Sequence, residues 1–150
     1  MFINWLIGFI IPWLCLALSP IPNKQMLCLR VAPSGSLIAF LFNDIFVRYG
    51  FWIAKPITEA NESFSTVPFN LGLYPVCGVF LVFFIERRIA SPIFVIFVWS
   101  LGISFAEWIL VQLKWILYGN GWNIGWTYCS YLTALTIVYL LFYAQKSQAR

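Results

Sequence analysis

Apolar residues run in five nearly unbroken stretches along the chain, at 2–18, 36–54, 68–85, 93–113 and 123–143, with polar or turn-forming residues between them. A bilayer hydrocarbon core about 30 Å thick needs about 20 largely apolar helical residues, with 17 to 25 tolerated. Each stretch is long enough to cross. The breaks carry residues that end helices: Ser19-Pro20-Ile21-Pro22-Asn23, Pro33-Ser34-Gly35, Lys55-Pro56, Glu86-Arg87-Arg88 with Ser91-Pro92, and Gly119-Asn120-Gly121. The pattern predicts an all-α polytopic membrane helix bundle of about five transmembrane helices. A single transmembrane domain with no soluble domain is expected, because the longest breaks, 19–35 and 55–67, have only 17 and 13 residues. A secretory signal peptide is the alternative for the first stretch. That stretch lacks a basic leading region, exceeds the usual apolar length and has only a weak Ala17-Leu18-Ser19 site followed by Pro20, so a retained first helix is expected.

Composition turns the pattern into a solvent argument. Of the 150 residues 62% are hydrophobic, 20% aromatic and 9% charged, and the mean hydropathy is +0.87. A water-facing surface needs roughly 25% charged residues, so a soluble globule is excluded and lipid is the solvent. Nine Lys and Arg against five Asp and Glu give a net charge of +4. They are too scattered for a nucleic-acid groove, and no nucleic-acid partner is expected. Their placement says more. With five alternating spans, Lys24, Arg30, Arg87, Arg88, Lys146 and Arg150 fall on one side, and Lys55 and Lys114 on the other. The positive-inside rule then puts the amino terminus outside and the carboxy terminus in the cytoplasm.

Several chemistries find no support. Neither G-x-x-x-x-G-K-[ST] nor G-x-G-x-x-G occurs. Cys15, Cys28, Cys77 and Cys129 are widely separated without a C-x-x-C pair, which suggests neither a zinc site nor a disulfide framework. Histidine is absent, removing the commonest general base and metal ligand. With no G-x-S-x-G and no clustered acidic ligands, neither an enzyme nor a cofactor is expected. Asn61-Glu62-Ser63 matches a glycosylation acceptor on the expected outer loop, a pattern too common to weigh much.

Three ionisable residues lie at the depth of the membrane, where each costs a few kcal/mol and should face protein or water. They are Asp44, Arg48 and Glu107. Asp44 and Arg48 are one turn apart and can pair, cancelling their own insertion cost. Arg48 and Glu107 both fall roughly 8 to 9 Å below the outer boundary, so a second arrangement has Arg48 bridging Asp44 and Glu107. Ser100, Ser104, Glu107 and Lys114 share a sector of about 80° on the fourth span, where serines act as interhelical hydrogen-bond partners or line a path. Asn70, Tyr74 and Cys77 share a face of the third span, where Pro75 frees a backbone carbonyl, and Asn43 borders Asp44 on the second. The candidate polar cluster is therefore Asp44, Arg48, Glu107, Asn43, Asn70, Tyr74 and Ser104, around a small cavity in the outer half of the membrane.

Trp5, Tyr49, Trp52, Trp108, Trp115, Tyr118, Trp122 and Trp126 gather toward the outer interface, and Trp13, Trp99, Tyr139 and Tyr143 toward the inner one. Anchoring and packing account for them better than a ligand cage. Gly102-x-x-x-Ala106 and Gly121-x-x-x-Gly125 have the spacing for close helix approach. No internal repeat is visible, and an odd number of spans argues against a simple inverted one.

Tyr74-Pro75 opening an apolar helix, the segment from Trp99 to Glu107-Trp108, and Tyr118 with Trp122, Trp126 and Ser130-Tyr131 form a further pattern. It resembles an uncharacterised family of small multi-span integral membrane proteins of endospore-forming bacteria, most clearly over residues 68–131. The resemblance implies a bacterial cytoplasmic membrane location and a special role for Glu107; it supplies no reaction or substrate. From the residues, the leading expectation is an accessory or structural membrane component that associates with itself or with a larger complex. The alternative is a small oligomeric transporter or channel in which Glu107 and Asp44 are the exchanging carboxylates. The lipid bilayer is the partner that composition requires.

Overall fold

A computed structural model describes residues 2–54 and 65–148. Lys55, the Asn61-Glu62-Ser63 acceptor and Arg150 lie outside the described residues. The fold is all-α, with about 80% of the described residues helical. In order, the elements are α1 (Phe2–Trp5), a π-helical turn (Leu6–Ile10), α2 (Ile11–Leu18), α3 (Lys24–Arg48) and β1 (Trp52–Ala54). A second π-helical turn (Phe69–Leu73), α4 (Tyr74–Glu86), α5 (Pro92–Gln112), β2 (Ile116–Tyr118) and α6 (Ile124–Gln148) follow. Among the described residues, four helices are long and apolar enough to cross a membrane: Lys24–Arg48, Phe69–Glu86, Pro92–Gln112 and Ile124–Gln148; Phe2–Leu18 is a shorter apolar helix.

The expected turn at Pro33-Ser34-Gly35 does not form. Those residues lie inside α3, which begins at Lys24 and ends at Arg48, not at 54. Away from water a break would leave several N–H and C=O groups unpaired, whereas one proline in a helix forfeits a single bond. Val31, Gly35, Ile38 and Ala39 form the buried face that holds the helix in place.

Both π-helical turns have the same cause. Each ends two residues before a proline, Pro12 after Ile10 and Pro75 after Leu73. Proline cannot donate to the carbonyl four residues back, and the ladder widens where that bond is missing. The carbonyl that Pro75 frees is that of Leu71, and the Trp13 indole Nε1 donates to it at 2.9 Å. The two turns face one another backbone to backbone. A Cβ placed on Gly72 would lie 2.2 Å from the Gly8 carbonyl oxygen and 2.5 Å from the Phe9 Cα. Asn4 Nδ2 donates to the Ser65 carbonyl at 3.1 Å, so the first helical run lies alongside the segment leading into α4 and points the same way. The expected close approaches at Gly102-x-x-x-Ala106 and Gly121-x-x-x-Gly125 are not observed, since a Cβ on Gly102 or Gly121 would meet nothing within 4 Å.

A repeat that the sequence hides emerges from the register. α3 and α5 end at Arg48 and Gln112, 64 residues apart. Both stop through the same six-residue closure. Gly50 N donates to Val47 O and Phe51 N to Phe46 O, each at 2.9 Å; Lys114 N and Trp115 N repeat this with Val111 O and Leu110 O, each at 2.9 Å. Gly50 and Lys114 both sit at positive φ, 64° and 59°, as that closure requires. The antiparallel strands that follow pair Trp52 with Tyr118, Ile53 with Leu117 and Ala54 with Ile116. Their centre, Ile53 against Leu117, has the same 64-residue offset, so one two-fold axis serves both ribbon and helices. On α4 and α6 the offset is 57 residues. It carries Asn70, Gly78, Leu81 and Ile85, all buried, onto Thr127, Leu135, Val138 and Phe142, the four buried residues of α6. Both halves run in the same direction, so the repeat is not inverted.

At the basic end α4, α5 and α6 are tightly joined. Leu81, Ile85, Val95, Ile96 and Leu135 form one buried cluster. Glu86 accepts hydrogen bonds from Tyr143 and Lys146, both at 2.6 Å.

Candidate functional site

Glu107 lies five residues before the end of α5, and its counterpart in the repeat is Asn43, five before the end of α3. Both are buried. The Glu107 carboxyl accepts from Tyr118 at 2.7 Å, from Thr127 at 3.2 Å and, on its other oxygen, from Tyr131. Thr127 Oγ1 also accepts from the Trp122 indole at 2.9 Å. Across the axis Asn43 donates to Asn70, whose amide donates to Thr66 Oγ1 at 3.4 Å. The Tyr74 and Tyr131 hydroxyls meet at 3.4 Å and join the two sets. Burial, and next the Glu107 carboxylate, push the Tyr118 hydroxyl above the ordinary phenol range, which keeps it a donor.

Of the expected cluster, the structure brings together Asn43, Asn70, Tyr74 and Glu107. Arg48 and Asp44 are elsewhere. They pair with each other at 2.8 Å with side chains 74% and 44% exposed, and Arg48 does not bridge to Glu107. The reason is the earlier end of α3, which makes Arg48 the last helical residue and leaves the pair on an outward face. An exposed i,i+4 pair is worth little. Arg48→Gln is therefore expected to change unfolding stability in detergent by about 0.5 kcal/mol or less; a change several times larger would restore a buried role. Ser104 is buried one turn below Glu107, and its hydroxyl has no hydrogen-bond partner. Ser100 donates to Ile96 of its own helix at 2.8 Å. Neither serine links helices.

Tyr118, Thr127, Tyr131 and Trp122 are the partners that sequence reasoning missed. Thr127 and Tyr131 are four apart on one face, a spacing that could have marked them; Tyr118 reaches Glu107 only because β2 folds over the helix ends. Other aromatics at this end of the bundle pack on one another, with Phe51 stacked on Tyr49 at 5.7 Å and on Trp122 at 5.0 Å.

Two cavities flank this centre. The larger, about 450 Å³, lies between α4 and α5; the smaller, about 50 Å³, lies between α3 and α6. They are counterparts in the repeat, and Trp52, Tyr74, Cys77, Ile103, Glu107 and Tyr131 line both. No family model, curated protein or solved structure matches the chain. The chemistry must therefore be read from the centre itself: a carboxyl, three aromatic rings shared by the two cavity walls, Trp52, Tyr74 and Tyr131, and no basic side chain lining either cavity among the described residues. No group of three or more His, Cys, Asp and Glu that could hold a metal ion occurs among them.

Proposed function

We propose that this is a small integral membrane protein that binds and carries an organic cation, with Glu107 as the counter-charge. One observation supports the reading above the others: a buried carboxyl opens onto a cavity of about 450 Å³ whose walls, among the described residues, supply Trp52, Tyr74 and Tyr131 but no cation. A carboxylate at membrane depth needs a positive partner or a proton, and aromatic faces attract alkylated ammonium groups. Five crossings with the amino terminus outside suit this reading. The first helical run lies parallel to α4, and Lys24, Arg30, Arg87, Arg88 and Lys146 gather at one end against Arg48 and Lys114 at the other. Glu107 then lies in the outer half of the bilayer, which we take to be a bacterial cytoplasmic membrane.

An accessory, structural role is the second reading, favoured by the three hydroxyls that already satisfy Glu107. Flux separates the two. In reconstituted vesicles, tetramethylammonium is expected to move at least about tenfold faster through the wild type than through Glu107→Gln. Equal, background flux in both, with lowered stability in the variant, would establish the structural role and end the carrier proposal.

A further inference from the structure

We infer that the larger cavity receives the alkyl tail of a bilayer-resident, single-chain amphiphile whose quaternary ammonium head sits at Glu107. This rests on the organic-cation reading and names its ligand class.

The cavity has the shape of a tail slot. α4 and α5 are held together at the basic end by Leu81, Ile85, Val95 and Ile96, and they part toward the other end. The opening runs along α5 from Leu110 past Glu107 to Val98, about 18 Å at 1.5 Å per residue. Some 13 Å of that, about nine residues of helix, lies below the carboxyl and is walled by apolar residues. Val98, Gly102 and Ala106 are exposed on the flank, so the slot opens sideways, toward lipid. Trp52, Ala54 and Ile116 of the ribbon close its outer end. The bilayer is therefore the source of the ligand.

The repeat shows that the space is a departure from a packed alternative. At the counterparts of Gly102 and Ala106, α3 carries Ile38 and Phe42, and there the cavity shrinks to about 50 Å³. A Cβ on Gly102 would touch nothing within 4 Å, so this glycine is not serving a helix contact, and Ala106 is exposed. One open slot beside one nearly closed slot fits one chain. At the head, Glu107 supplies the only acidic group lining the cavity among the described residues, and Trp52, Tyr74 and Tyr131 supply the aromatic surface that quaternary ammonium prefers.

The test measures binding of decyltrimethylammonium and tetramethylammonium to protein in lipid nanodiscs, corrected with empty nanodiscs. Wild type is expected to hold the decyl compound more tightly than Gly102→Phe or Ala106→Leu by about tenfold. Both variants should keep wild-type tetramethylammonium binding and at least wild-type thermal stability, because their side chains grow into open space. Glu107→Gln should lose both ligands. If the slot-filling variants bind the decyl compound as wild type does, the tail assignment is overturned while the cation site stands. If wild type binds neither compound, the cation site falls and the tail assignment with it.

Discussion

Gly72→Ala lowers the stability of the folded protein by about 3 kcal/mol, read as a fall in unfolding midpoint in detergent. The added methyl would sit 2.2 Å from the Gly8 carbonyl oxygen and 2.5 Å from the Phe9 Cα. Both obstacles are backbone, so no side-chain rotation relieves them. The two π-helical turns would have to separate, taking with them the Trp13 hydrogen bond to Leu71. Gly102→Ala is the matched control. The same methyl there meets nothing, and replacing glycine within a helix gains up to about 1 kcal/mol. Equal midpoints for the two variants would show that the turns are not in contact.

Glu107→Leu is expected to cost about 3 kcal/mol, because it strands hydroxyls without admitting water. Tyr118 and Tyr131 lose the carboxyl as acceptor, and each is left with a single hydroxyl neighbour, Thr127 at 2.9 Å and Tyr74 at 3.4 Å. Thr127 keeps the Trp122 indole and its contact with Tyr118, so the loss is smaller than three separate hydrogen bonds. Glu107→Gln retains an acceptor oxygen and should cost about 1 kcal/mol. Denaturant titration in mixed micelles measures both. A Leu variant as stable as wild type would mean that the hydroxyls find other partners, and the centre would not be the rigid unit described here.

The spans at 68–85 and 93–113 were legible because their apolar runs end at turn residues that end the helices as well. The span at 36–54 was displaced, since Pro33 reads locally as a turn while packing of Val31 and Gly35 keeps the backbone helical. Glu107 stood out because a carboxylate is conspicuous among Phe, Trp and Ile. Its partners did not. Tyrosine and threonine near an interface are ordinary, and their convergence depends on a three-residue ribbon that no periodicity announces. Arg48 was misplaced for the same reason that the helix end was, because a glycine closure at Gly50 overrides the apolar run that continues through Ala54. The repeat was invisible because the halves share a backbone register while few side chains coincide: Val31 with Val95, Ser36 with Ser100 and Tyr74 with Tyr131 are among them.

That shared register has a consequence for stoichiometry. Two identical chains around the same axis would have to present identical centres. A carboxylate in one would face a carboxylate in the other through the touching tyrosines, and each would raise the cost of ionising its neighbour. Joining the halves in one polypeptide removes that constraint. Position 43 can be an amide where position 107 is an acid, and one slot can be packed while its twin stays open. The molecule then carries a single charge and a single vacancy per axis, an arrangement that no symmetric dimer of these halves could reach.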